Sequence, residues 1–87
     1  MHRITLYTRA GCHLCDEARQ VLDAVRPRAE FSLEVLDIDA DPELRKLYDV
    51  EVPVIAIDGV KAFKYRVTRD EFLKKLQARP APGKTTF

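Results

Sequence analysis

Asp58-Gly59 stands between two apolar runs, "VPVIAI" (52–57) and "VKAFKYRV" (60–67), and no other dipeptide constrains this chain's folding as strongly. An Asp-Gly pair between two such runs is the strongest short-range hairpin signal in the chain, so its flanking strands are expected to pair antiparallel. Pro53 belongs at the start of the first strand, because it has no N–H to give to a ladder. Lys61, Lys64 and Arg66 on the second strand suit a sheet edge guarded by charge.

Upstream of the hairpin the pattern alternates between strand and helix. "RITLY" (3–7) opens as a strand, and a loop from Thr8 to Gly11 leads into a helical stripe of Leu14, Ala18, Val21 and Val25 with Cys15 and Leu22 beside it. Asp16 and Glu17 in the first turn and Arg26 at the end agree with the helix dipole, and Pro27 is a stop. "AEFSLEVLDID" (29–39) reads as a largely buried second strand. "DPELRKLYDV" then begins a short helix, capped by Asp41 with Pro42 in its first position and burying Leu44, Leu47 and Tyr48.

After the hairpin, Thr68 followed three residues later by Glu71 reads as a capping box, opening a last helix with Phe72, Leu73 and Leu76 buried. The expected order is β-α-β-α-β-β-α: a parallel crossover plus an antiparallel hairpin, hence an α/β fold with a four-stranded mixed sheet and three helices. Residues 1–78 form the domain in this reading. "RPAPGKTTF" (79–87), with two prolines, a glycine and no periodicity, reads as a flexible tail.

At 87 residues there is room for one core, since a domain of this size buries only about 60% of its unfolded surface. A formal net charge of +1 gives no global pull toward nucleic acid, although the halves differ: residues 1–43 carry 5 basic and 9 acidic side chains, residues 44–87 carry 10 and 5. The basic, aromatic-interleaved "KAFKYR" is read as a solubilised edge with Phe63 and Tyr65 at core spacing, not as a nucleic-acid surface. There is no run long enough to span a membrane and no signal-peptide pattern, so the expected location is the cytoplasm and the expected state a monomer.

In a reducing compartment, two cysteines as close as Cys12 and Cys15 are more often catalytic or metal-binding than structural. As a staple they would close a very small loop, the least stabilising kind. As a zinc site they would need four ligands from Cys12, Cys15, His2 and His13, with Cys12 and His13 adjacent and diverging. As a reacting pair they are well placed, with Cys12 at the N-terminus of the first helix and Cys15 one turn on along the same side. Helix N-termini and C-x-x-C spacing lower a cysteine pKa from about 8.5 to roughly 3.5–7.5. His13 would either favour the thiolate as an imidazolium or stand exposed without a role.

The "YTRAGCHLC" segment, the "VP" at 52–53 and the element order together resemble glutaredoxins and the thioredoxin-like superfamily, most closely the small bacterial glutaredoxin-like proteins with a "GCHLCDEA" segment. The resemblance spans residues 3 to about 77 and implies a thioredoxin-like fold. It makes Cys12 the attacking cysteine, Cys15 the resolving one and Pro53 a cis-proline whose neighbour Val52 offers backbone to a substrate. Tyr7 and Arg9 match the approach to the glutaredoxin cysteine, where the basic residue helps hold thiolate and glutathione.

Three positions depart from the family. His13 replaces the common Pro or Gly, Leu6 replaces the thioredoxin buried acid, and "AFKYRV" replaces the Gly-Gly and acid that grip glutathione, with Phe63 and Lys64 where glycines would stand. The resemblance thus implies no resident cofactor, glutathione as the one candidate co-substrate, a disulfide-bearing protein or small thiol as substrate, and a reductase or glutathione as electron donor. A dithiol–disulfide oxidoreductase is the leading expectation. A non-catalytic thioredoxin-like binding module is the alternative.

Overall fold

The computed structural model describes residues 2–78. The expected order is observed: strand β1 (His2–Thr8), helix α1 (His13–Val25), strand β2 (Phe31–Asp37), helix α2 (Pro42–Tyr48), strands β3 (Val54–Ile57) and β4 (Val60–Lys64), and helix α3 (Arg69–Ala78). Two 3-10 turns, Arg26–Arg28 and Ile38–Ala40, were not anticipated. The first follows from Pro27, which is tolerated in an opening turn and carries the chain on past the end of α1. Residues 79–87, expected to be a tail, lie outside the described residues.

The sheet order is β2-β1-β3-β4, with β1 parallel to β2 and antiparallel to β3, and β3 antiparallel to β4. Asp58 and Gly59 both have positive φ, 54° and 86°, as the hairpin turn requires. The Asp58 carboxylate also reaches back to β1: Oδ1 accepts from the Arg3 N–H at 2.8 Å, and Oδ2 lies 2.7 Å from His2 Nδ1. The turn is thereby fastened to the start of the central strand.

Strand alternation divides the core. Ile4 and Leu6 of β1 and Ile55 and Ile57 of β3 meet Ala18, Leu22 and Val25 of α1 and Phe72 and Leu76 of α3, all buried in one cluster. On the opposite face Val54 and Ala56 are also buried, and Tyr7 stacks on Tyr48 of α2. Covered on both faces, β3 is buried throughout, which explains its unbroken "VIAI".

Three burial expectations need correction. β2 is an edge strand and not largely buried, and Val35 is exposed, because β1 flanks it on one side only. α2 buries none of its residues: Leu44 and Tyr48 are half-buried and Leu47 is 62% exposed, since one short helix and a 3-10 turn cover that face thinly. Tyr65 lies beyond the end of β4 and is exposed, whereas Phe63 packs against the core.

The Thr68 hydroxyl oxygen accepts from the Glu71 N–H at 3.2 Å while its O–H donates to the Glu71 carboxylate at 2.9 Å. The partnership of the capping box is present, with a side-chain bond as its return leg. Thr68→Ala is expected to cost about 1 kcal/mol of stability. Urea unfolding is the check, and an unchanged midpoint would show that α3 is held by packing alone.

Candidate active site

The cysteine loop leaves the end of β1, and at that end Tyr7 pairs with Val54, which pairs in turn with Lys64. Gly11, at φ 75°, turns the loop into α1 through a conformation side chains resist. Cys12 then occupies the N-cap with extended backbone, and its Sγ accepts from the Cys15 N–H at 3.1 Å. The Cys12 carbonyl accepts from the Asp16 N–H at 3.3 Å, the first bond of the helix.

Cys12 and Cys15 are joined as a disulfide, with Cα atoms 5.2 Å apart. Their environments differ. Cys15 is 2% exposed under the start of α1, while Cys12 is partly open at its tip. A reagent from solution therefore meets Cys12 first.

The other expected site residues divide into two groups. Val52–Pro53 is a cis peptide, Pro53 is buried, and the Pro53 carbonyl accepts from the Tyr65 N–H at 2.9 Å. The preceding residue, Glu51, is salt-bridged to Lys61 of β4 at 2.6 Å. That contact lowers the Glu51 carboxyl and raises the Lys61 ammonium from their ordinary values, chiefly through the hydrogen bond between them. The ring of Tyr7 lies 4.6 Å from that of Tyr48.

Arg9 points its guanidinium at acids. Nη2 and Nε bond to Asp39 at 2.8 and 3.2 Å, and Nη1 bonds to both the side chain and the carbonyl of Asp49 at 2.8 Å. These bonds raise its pKa, that to Asp39 first, and they link the loop ahead of Cys12 to the 3-10 turn before α2 and to the residue that ends α2. His13 is 88% exposed, with Nε2 3.8 Å from Glu17. Among the described residues no cluster of His, Cys, Asp and Glu has the form of a metal site, and no helix is long and apolar enough to cross a membrane.

Sequence reasoning missed Asp39, Asp49, Tyr48 and Tyr65. The acid-rich "DIDADPE" is a signal for the first, but nothing local points to the others. One assignment is corrected. Glycine-like backbone after the hairpin falls neither at Phe63 nor at Lys64 but at Tyr65, whose φ is 68°.

Tyr7 carries a pH dependence. Burial raises its phenol above 10.0, with further contributions from Tyr48 and Glu34. Because the folded value is raised, the contribution to stability is complete below the unfolded tyrosine value and is lost as pH climbs through the folded one. In a phenolate absorbance titration the step that Tyr7→Phe deletes is expected to lie above the ordinary tyrosine value. A deleted step at or below that value would overturn the assignment.

Comparison with known proteins adds four relationships. Residues 3–77 match the model of a family described as Glutaredoxin-like domain (DUF836). The Glutaredoxin-like protein YDR286C homolog of Dictyostelium discoideum is 33% identical over 81 residues, covering 85% of this chain and 74% of the relative. An X-ray structure of the protein XcR50 from X. campestris superposes with a TM-score of 0.73 at 31% identity, covering 88% of this chain and 99% of its own. A mutant thioredoxin from Halobacterium salinarum superposes with a TM-score of 0.60 at 22% identity over 86% of this chain and 70% of its own, which establishes the thioredoxin-like fold.

Proposed function

Since this chain belongs to the glutaredoxin-like (DUF836) family and holds Cys12 and Cys15 at bonding distance, we propose that it is a dithiol–disulfide oxidoreductase acting on protein or small-molecule disulfides. The observation that carries the reading is the asymmetry of the pair: a partly open Cys12 whose sulfur already accepts a helix N–H, above a buried Cys15. In the reduced protein the same N–H and the positive end of α1 would favour a thiolate at Cys12 over the neutral thiol.

The reaction runs in two exchanges. The Cys12 thiolate attacks one sulfur of the substrate disulfide, that S–S bond breaks, and half of the substrate leaves as a thiolate that takes a proton from solvent. Cys15 then gives up its proton and attacks the Cys12 sulfur, which releases the other half and closes the Cys12–Cys15 disulfide. Two electrons have passed from the protein dithiol to the substrate disulfide. A donor dithiol, a reductase or two equivalents of glutathione reverses the sequence to restore Cys12 and Cys15. No resident cofactor enters either exchange. The chemistry suits a monomer in a reducing cytoplasm, and neither nucleic acid nor membrane has a part in it.

The test is reduction of insulin, a polypeptide disulfide, with dithiothreitol as donor, together with alkylation of the reduced protein across pH. Turnover above that of free dithiothreitol is expected, with Cys12 alkylated at pH values below the ordinary thiol range near 8.5. Background turnover with ordinary thiol titration would instead favour the thioredoxin-like binding module. Exposed Leu47 and Val50, just ahead of Pro53, are the surface such a module would use.

A further inference from the structure

Tyr65 has a conformation that its residue type resists. Asp58, the other non-glycine residue at positive φ among those described, is accounted for by the hairpin turn, whereas a bulky residue at φ 68° outside such a turn is an outlier. Two backbone bonds hold it there. The Arg66 N–H donates to the Lys64 carbonyl at 2.8 Å, which closes a three-residue turn centred on Tyr65, and the Tyr65 N–H donates to the Pro53 carbonyl at 2.9 Å. Strain of this kind persists where surrounding structure over-determines a residue, and it is found most often at ligand-handling sites.

The ring does not explain the strain through stability. It is 42% exposed, and the Lys64 ammonium lies 5.5 Å from its centroid. A glycine would satisfy the same backbone at lower cost. The use of the ring therefore lies outside the fold.

Its surroundings suggest that use. Tyr65, Arg66 and Val67 face Leu14, Glu17 and Ala18 of α1 across a cleft of about 240 Å³. Leu14 lies between His13 and Cys15 in the first turn of α1, and Tyr65 is tied to Pro53 beside Val54, the partner of Tyr7, so the cleft lies at the end of the sheet from which the cysteine loop departs, on the side of α1. Its volume is below the roughly 300–1,000 Å³ of sites that enclose a whole small ligand and suits one side chain. Leu14, Ala18 and Val67 supply apolar lining beside the polar Glu17, Arg66 and Thr68.

We propose that Tyr65 is a specificity-determining residue for the disulfide exchange: its ring receives an apolar side chain flanking the disulfide of a polypeptide substrate, and denies a glutathione disulfide close approach to the backbone. This rests on the redox reading of Cys12 and Cys15. A glycine here would leave the strand-to-helix loop bare for the backbone of a tripeptide. With tyrosine the loop keeps its left-handed turn, but the approach is covered.

The test compares kcat/KM for insulin and for the mixed disulfide of glutathione with cysteine, both with dithiothreitol as donor, in wild type, Tyr65→Gly and Tyr65→Phe. The ratio of insulin to glutathione substrate is expected to fall by about tenfold or more in Tyr65→Gly and to hold in Tyr65→Phe. An unchanged ratio in Tyr65→Gly, with turnover intact, overturns the proposal and leaves the redox reading standing. Absence of turnover dependent on Cys12 in wild type overturns both. Independently of activity, Tyr65→Gly should melt about 4 °C or more above Tyr65→Ala, since both lose the ring and only glycine relieves the backbone. Equal melting would remove the strain and the proposal with it.

Discussion

Cys12→Ser is expected to reduce insulin turnover to the rate of free dithiothreitol, a loss on the order of 10³-fold or more, the scale on which removing a covalent nucleophile acts. A serine hydroxyl can occupy the N-cap of α1 and accept the same N–H, so the helix start survives while the reacting thiolate does not. Cys15→Ser should behave differently. Buried and 2% exposed, Cys15 is poorly placed for the first attack, so its variant is expected to react once and stop, holding the substrate as a mixed disulfide on Cys12. Intact-mass measurement after mixing reads that adduct directly. Comparable turnover in wild type and Cys12→Ser, or an adduct found on Cys15 of the Cys12→Ser variant instead, would reverse or dissolve the assignment of roles.

Much of the architecture behind that prediction is legible in the chain because it is encoded over short range. Asp58-Gly59 specifies its turn within two residues, Asp41-Pro42 and Thr68 through Glu71 specify helix starts within four, and the C-x-x-C spacing is itself the site. What was not legible depends on where an element ends up in the sheet. The apolar content of "FSLEVLD" is compatible with a central strand, and only the order β2-β1-β3-β4 makes it an edge. Leu47 has the helical spacing of a buried residue, yet α2 has too little of the molecule around it to bury anything fully.

The site residues divide along the same line. Cys12 and Cys15 lie within one helical turn, so their proximity follows from the helix alone. Arg9 meets Asp39 and Asp49 across 30 and 40 residues of chain, and one of the two hydrogen bonds that hold Tyr65 at its unusual φ closes only when the end of β4 meets the Pro53 segment. The residue types at Tyr65 and Arg9 were visible in the sequence, but the strain on one and the acidic partners of the other belong to the assembled fold.

Phe72→Ala tests the assembled fold most severely. Phe72 is 0% exposed, and its ring lies 5.6 Å from Phe31, edge-on at 70°, and 6.3 Å from Phe63. It therefore bridges the two outer strands of the sheet, β2 through Phe31 and β4 through Phe63. Truncating a buried phenylalanine costs about 3–5 kcal/mol, and aromatic pairs contribute roughly 0.5–1.5 kcal/mol each beyond their buried area. A domain of this length has a total stability of only about 4–13 kcal/mol at roughly 0.05–0.15 kcal/mol per residue, so the variant should be marginal. A fall in Tm of more than about 10 °C is expected. Leu47→Ala on exposed α2 should stay within about 0.5 kcal/mol of wild type. Because Cys12 and Cys15 are brought together by the first turn of α1 itself, the fraction of Phe72→Ala that remains folded at low temperature should still close the Cys12–Cys15 disulfide. A loss below about 1 kcal/mol on urea unfolding would show that α3 is dispensable to the core and that the sheet with α1 is the stable unit.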